Sequence, residues 1–272
     1  MSNETRSTLI EFAPSVPISF PLRIFSALRA LIWVTLINDS PLTWWCQQGR
    51  RNERADMEGP VYVPGAPDRM LEPGKAVLAT VDELKKFKPF LLQVIVRTPH
   101  GDPLPHATID FWQATSAGEY AYRSYALRGR LTTGADGSVE VLTISPGDYG
   151  AGAALRTGHF HMMLQDAEGR REQLTTQLYV CQANNVKGMN KDFLNYFRKS
   201  RPQNMLRAWS IPENNGGKAF NEFPKLPSDD IESLKRIEWW NARLAEQGAG
   251  IKIVAGGRTE IKLNEKPGWL GF

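Results

Sequence analysis

The sequence has little with which to staple or clamp itself. Cys46 and Cys181 are its only cysteines, and neither stands in a CxxC or comparable spacing. Two thiols so placed make neither a disulfide framework nor a zinc knuckle, and both are expected as reduced structural groups. Long blocks of one charge are missing too. The net charge is only +4, with no Lys/Arg run and no basic–aromatic repeat, which leaves nucleic-acid binding without support. Neither a GxGxxG nor a P-loop occurs, so nothing points to a dinucleotide or nucleotide. The opening MSNETRSTLIEF lacks a basic stretch followed by an apolar core, so no secretory leader is expected. The most apolar stretch, Leu22 to Ile37, is interrupted by Arg23 and Arg29 and is short for a bilayer span. It reads as a helix, apolar on most faces, that packs against something, a second subunit included. The expectation is a cytoplasmic protein without membrane or nucleic-acid partners, forming a homodimer.

What is present is ordinary globular material: 272 residues, 42% hydrophobic and 23% charged, enough for one large domain. Residues 1 to 21 are polar and punctuated by Pro14, Pro17 and Pro21. From Phe90 the pattern becomes one of short strands. Leu91 to Val96 is a β-branched run closed by a Pro/Gly turn, and Ala107 to Ala114 alternates. Leu127 to Thr132 and Val139 to Ile144 read as a hairpin around Asp136-Gly137; His159 to Leu164 and Leu174 to Val180 read as another. Beyond Cys181, Lys191 to Lys199 and Asp229 to Gln247 look helical, and Ile251 to Leu263 looks like a hairpin around Gly256-Gly257. The fold class is therefore mainly β. An antiparallel β-sandwich core spans 56–185, with an N-terminal arm and short helix over 1–55 and a C-terminal helical and hairpin extension over 186–272.

The densest chemical signal is the segment Tyr149 to His161. In a strand, His159 and His161 point to the same side, a natural metal-binding pair. Imidazole suits iron, copper, zinc and nickel alike, so the pair does not choose the metal. No Asp or Glu lies between Gly150 and Gln165, so no carboxylate ligand is local, but tyrosine is. A phenol with a pKa near 10 binds only where a strong Lewis acid removes its proton. A ferric ion does so, and phenolate oxygen stabilises Fe(III). The other two histidines, His100 and His106, stand in loop sequence.

Five segments, in this order, resemble the intradiol ring-cleavage dioxygenases: GPVYVPGAP (59–67), GDPLPHATIDFWQATSAGEY (101–120), LRGRLTTGADGSVEVLTISPGDYG (127–150), RTGHFH (156–161) and LTTQLYV (174–180). The resemblance covers about residues 55 to 185. It implies an Fe(III) centre held by Tyr120, Tyr149, His159 and His161, with Tyr122 and Tyr125 as competitors for the first position. It implies that Tyr149 leaves the metal and takes up a proton, that Arg156 stabilises negative charge on the activated ring, and that Gln177 supports Arg156. Val61 and Tyr62 are the candidates to touch substrate. The implied activity is O2-dependent cleavage of a small aromatic diol between its hydroxyls, giving a muconate-type diacid.

The sequence departs from the family pattern in places. Thr157 stands where proline usually follows the active-site arginine, Thr133 is followed by Gly134 instead of an acid, and the stretch between Tyr149 and Arg156 is short. These departures bear on pocket shape, so two other readings stand beside the first. One is a relative acting on an unusual polyphenol in a biosynthetic pathway. The other is a non-catalytic, transthyretin-like binding module, since fold does not fix function.

Overall fold

A nearly continuous apolar run marks a strand covered on both faces, and β3 (Phe90–Arg97), interrupted by Gln93 and ending on Arg97, is that strand. A computed structural model describes residues 13–46, 52–181, 187–196, 199, 201–248 and 250–266. Residues 1–12 of the arm, the boundary expected at 185, and positions 197–198 of the expected Lys191–Lys199 helix lie outside the described residues. Among the described residues, ten strands form two sheets. The first runs β1 (Met70–Glu72), β2 (Lys75–Val77), β6 (Ser138–Thr143), β3, β10 (Ala255–Lys262), β9 (Arg207–Ser210); the second runs β5 (Arg128–Thr132), β4 (Thr108–Gln113), β7 (His159–Gln165), β8 (Leu174–Tyr179).

Alternation decides what each face meets. Phe90, Leu92, Val94 and Val96 of β3 join Ile109 and Phe111 of β4 and Phe160, Met162 and Leu164 of β7 in one buried core. Burying each such side chain stabilises by roughly 1.5–3 kcal/mol, and the two sheets face each other as a sandwich. The intervening Leu91 points the other way, into a second cluster with Ile237, Trp240 and Leu244 of the helix Ile231–Glu246. Asp230 caps that helix, its side chain accepting from Ser233 N at 3.0 Å. Trp240 Nε1 donates to Glu140 on β6 at 2.7 Å.

The sandwich and the β7–β8 hairpin match expectation. Four local expectations do not hold. Strands β5 and β6 do not pair: β5 lies against β4, while β6 pairs antiparallel with β3 and parallel with β2. The Asp136-Gly137 turn therefore passes the chain between sheets. Alternation identifies a buried face but not the neighbour along the hydrogen-bonding edge. Gly256 and Gly257 sit inside β10, not at a turn; β10 runs parallel to β3 and antiparallel to β9. Their lack of side chain admits close neighbours, since a Cβ on Gly256 would stand 2.3 Å from Leu91 O. The helix expected over Lys191–Lys199 is instead a short helix Lys187–Asn190 and a 3-10 turn Phe193–Tyr196, with Asp192 between them. Asp192 accepts the backbone N–H of Leu194 at 3.0 Å, the competition for backbone donors that breaks helices at aspartate.

The N-terminal helix is also longer than Leu22 to Ile37. An α-helix Phe20–Arg29 continues into a π-helical turn Ala30–Asn38 and then a helix Pro41–Cys46. Taken together, these 27 residues are long and apolar enough to cross a membrane by length and composition alone. Only Ser26, Ala30, Val34 and Trp44 of this run are buried; Phe25, Leu28, Leu31, Ile32, Trp33 and Leu36 are all more than half exposed.

Candidate metal centre

The alternation that sends Phe160 and Met162 into the core sends His159 and His161 to the outer face of the second sheet, where loops bury both rings to 1% exposure. Their Nε2 atoms converge to 2.9 Å. Two metal–imidazole bonds of about 2.0–2.1 Å to one ion span such a gap. His159 Nδ1 lies 2.6 Å from Thr157 O, a bond that, with Nδ1 protonated, makes Nε2 the lone-pair nitrogen, an acceptor or ligand. Burial, helped by His159, Arg156 and Arg128, pushes the His161 pKa well below the ordinary range, so it stands as neutral imidazole.

Two loops bring the tyrosines over this pair. Gly118, at φ +79°, lets the Thr115–Tyr120 loop lie on Asp148 and Tyr149; a Cβ there would stand 2.4 Å from Asp148 O. The short Tyr149–Arg156 stretch closes on itself, Tyr149 N donating to Arg156 O at 3.0 Å and Arg156 N to Tyr149 O at 2.8 Å. The Tyr120 and Tyr149 rings then meet edge to face at 5.5 Å, with Tyr149 5.7 Å from His159 and Tyr120 6.3 Å from His161. Burial raises the pKa of both phenols, Tyr120 well above the ordinary value; Arg156 pulls the other way in each case. The buried Tyr120 hydroxyl meets no hydrogen-bond geometry, although the Tyr149 phenol stands close enough to bear on its ionisation. Of the competitors, Tyr122 is exposed and Tyr125 donates its hydroxyl to Pro64 O at 2.6 Å. Tyr120 is the one beside the histidines. His100 and His106 are exposed loop residues.

Strand register supplies the surroundings. Trp112, His161 and Gln177 form one row across β4, β7 and β8. Gln177, fully buried, donates Nε2 to Met57 O at 2.7 Å; its Oε1 accepts from Arg156 Nη2 at 2.6 Å. The Tyr179 hydroxyl lies 2.8 Å from that Oε1 and 3.1 Å from Asp56 Oδ2. Arg156 also donates Nη1 to Tyr149 Oη at 3.2 Å and Nε to both oxygens of Asp192 at 3.1 Å. Burial works against its charge, but Tyr149, Tyr179 and Asp192 hold its pKa above the ordinary arginine range. Thr157, the residue that replaces proline, donates N–H to Asp192 Oδ2 at 3.0 Å and its hydroxyl to Gly188 O at 2.8 Å. Proline has no N–H and no hydroxyl, so this departure ties the 187–192 segment to the site.

Tyr62 packs on Trp112 at 4.9 Å between ring centres and donates its hydroxyl to Asp110 Oδ2 at 3.1 Å. Val61 meets the site through its backbone, Val61 O accepting from Arg128 Nη1 at 2.7 Å. Asp192, Trp112, Arg128 and Asp56 were not singled out in the sequence. Trp112 was legible in principle, since it stands on the inner-to-outer alternation of β4 opposite the HxH strand.

The donor set of two phenols and two imidazoles fits a hard, strongly Lewis-acidic ion. Among the described residues no group of three or more His, Cys, Asp or Glu is placed to hold a metal. Four orphaned atoms, Tyr120 Oη, His161 Nδ1, Trp112 Nε1 and Arg128 Nε, mark this as a place where ordinary hydrogen bonding is incomplete.

A family model described as "Dioxygenase" matches residues 57–211. The chain is similar to catechol 1,2-dioxygenase 1 of Acinetobacter lwoffii, 29% identical over 46% of this chain and 45% of that one. It is 31% identical to a chlorocatechol 1,2-dioxygenase of Rhodococcus opacus over 45% of this chain and 54% of that one. The chain thus spans about half the length of the curated relatives it matches. In fold it resembles the crystal structure of 3-chlorocatechol 1,2-dioxygenase from Rhodococcus opacus, with a TM-score of 0.60 at 19% identity over 90% of this chain and 86% of that one. It likewise resembles catechol 1,2-dioxygenase of Acinetobacter radioresistens, with a TM-score of 0.58 at 19% identity over 90% and 72%. With more than half its length matched by the family model and its fold shared, the chain belongs to the intradiol ring-cleavage dioxygenase family.

Proposed function

We propose that this protein is an Fe(III)-dependent dioxygenase that opens a catechol-type ring between its two hydroxyls. The observation that carries the reading is the convergence of His159 Nε2 and His161 Nε2 to 2.9 Å beside the half-buried Tyr120 and Tyr149, whose rings meet edge to face. Tyr120, Tyr149, His159 and His161 would hold the iron. Ferric iron, when bound, supplies the Lewis acidity that favours deprotonated phenols and a deprotonated diol.

The remaining roles belong to the chain. Tyr149 Oη, as a phenolate, can accept a proton from a substrate hydroxyl, a general-base role. Arg156 donates to that oxygen at 3.2 Å, which lowers its proton affinity and places a fixed positive charge where an anionic ring would lie. Gln177 and Asp192 occupy the other edges of the guanidinium, so its position does not depend on substrate. Tyr62 and the segment around Val61 form one wall, and loops burying the histidines exclude bulk water. The homodimer belongs to the same reading, supported by the exposed apolar flank of the N-terminal helix.

The test is oxygen uptake on a panel of catechol, hydroxyquinol, protocatechuate and larger polyphenols, with product mass after reaction under 18O2. Two labelled oxygens in a ring-opened diacid support the reading. No uptake by iron-loaded protein on any of the diols contradicts it.

A further inference from the structure

An imidazole that holds a metal is ordinarily oriented by a hydrogen bond at its second nitrogen. His159 has such a bond to Thr157 O. His161 does not: its Nδ1 is buried without a hydrogen-bond partner among the described residues. Packing orients the ring instead. The Trp112 indole lies flat on it, ring centres 4.8 Å apart and planes 8° apart. Gly59 abuts its edge, where an added Cβ would stand 3.3 Å from Cε1.

Both neighbours are held from the N-terminal helix. Arg29 grips the buried Glu58 carboxylate with two prongs, Nη1 to Oε1 and Nη2 to Oε2, the latter at 3.0 Å. At the end of the π-helical turn, the two oxygens of Asp39 accept the N–H groups of Glu58 at 3.2 Å and Gly59 at 2.8 Å. The Arg29 guanidinium also lies 5.3 Å from the Tyr62 ring centre, and Tyr62 packs on Trp112. While the apolar side chains of this helix face outward, Arg29 and Asp39 turn in to one turn of chain, and that turn touches His161.

We propose that Arg29 and Asp39 are positioning residues that fix the His161 ring through the Glu58–Gly59 turn and the Tyr62–Trp112 stack, making the N-terminal helix part of the metal-binding apparatus. The proposal rests on the reading of His161 as a metal ligand.

The test uses the full chain as R29M, D39N and the charge swap R29E/E58R. Two readouts are taken: the imidazole NMR signals of metal-free, histidine-labelled protein, and Fe(III) affinity by competition with a chelator. R29M and D39N should shift the His161 signals, spare those of His159, keep the far-ultraviolet circular dichroism of the parent and weaken iron binding about 10–100-fold. The swap should recover part of both losses. Parental His161 signals and iron affinity in R29M and D39N would overturn the proposal, as would loss of fold in both variants or equal movement of both histidines. If R29M alone does not fold, D39N decides. A parent protein that binds no iron, yet shows the His161 shift in its variants, refutes the metal reading and not the positioning; iron bound as tightly by R29M and D39N as by the parent refutes the positioning alone.

Discussion

Replacing Asp192 by alanine is the perturbation whose consequence the structure defines best. The carboxylate is almost fully buried and receives Arg156 Nε on both oxygens, Thr157 N and Leu194 N, all at 3.0–3.1 Å. Removing it leaves the Arg156 guanidinium buried with one edge unpaired and strands two backbone donors. Breaking a buried pair from one side costs about 3–5 kcal/mol. For a chain of this size, that is roughly 6–20 °C in Tm. Urea unfolding of D192A against the parent, with circular dichroism and fluorescence as coincident probes, measures it. The double change R156L/D192L should be less damaging to stability than D192A, because no charge is then stranded. Activity separates a further consequence: in D192A the guanidinium swings away from Tyr149, so kcat falls more than KM rises. A D192A protein within about 1 kcal/mol of the parent, with unchanged kcat, would refute the claim that this carboxylate holds Arg156.

Other predictions follow from single contacts. T157P removes the N–H to Asp192 and the hydroxyl to Gly188 and should cost about 2–4 kcal/mol in urea unfolding, whereas T157V, losing only the hydroxyl bond, should cost about 1 kcal/mol; equal losses would contradict the role given to the N–H. The Asp39 carboxyl is pushed up to about 6, chiefly by burial and against the pull of the Gly59 and Glu58 amides. An acid with a raised folded pKa contributes stability that is present below its unfolded value, near 3.8, and is lost as pH rises through 6. At about 1.4 kcal/mol per pH unit this amounts to roughly 3 kcal/mol. Parent protein should therefore lose stability relative to D39N between pH 4 and 6.5, and parallel curves would contradict the burial argument. In iron-loaded protein, Y120F should lose part of the tyrosinate absorption, the Tyr149 share remaining, and weaken iron binding, while Y122F keeps both, since Tyr122 faces solvent; the reverse result would reassign the ligand.

Much of the site was legible because its chemistry is local. His159 and His161 share a strand face by parity alone. Tyr149 and Arg156 are joined by a chain short enough to return on itself. What was not legible is contributed from a distance. Asp192 reaches the site from beyond the segment that carries the family motifs, and its spacing in an apparent helical pattern hides that it ends one helix and caps a turn. Arg29 lies within, and Asp39 just past the end of, a helical stretch that reads as apolar, and only the fold shows that both face the Glu58–Gly59 turn. The sheets show the same division. The alternation of β3, β4 and β7 predicts which side chains share a face, but β10 running parallel to β3 is a pairing between residues more than 160 positions apart, and no local pattern encodes it. Gly256-Gly257 misled for a definite reason: glycine serves close approach of chains as well as turns.

The most direct test of the central claim is the visible absorption spectrum of purified protein, with iron quantified in the same sample, before and after a catechol is added. The account predicts about one iron per chain and a wine-red tyrosinate-to-ferric band that shifts when the diol binds. A protein that stays colourless after reconstitution with ferric iron would contradict the assignment of Tyr120, Tyr149, His159 and His161 as its ligands.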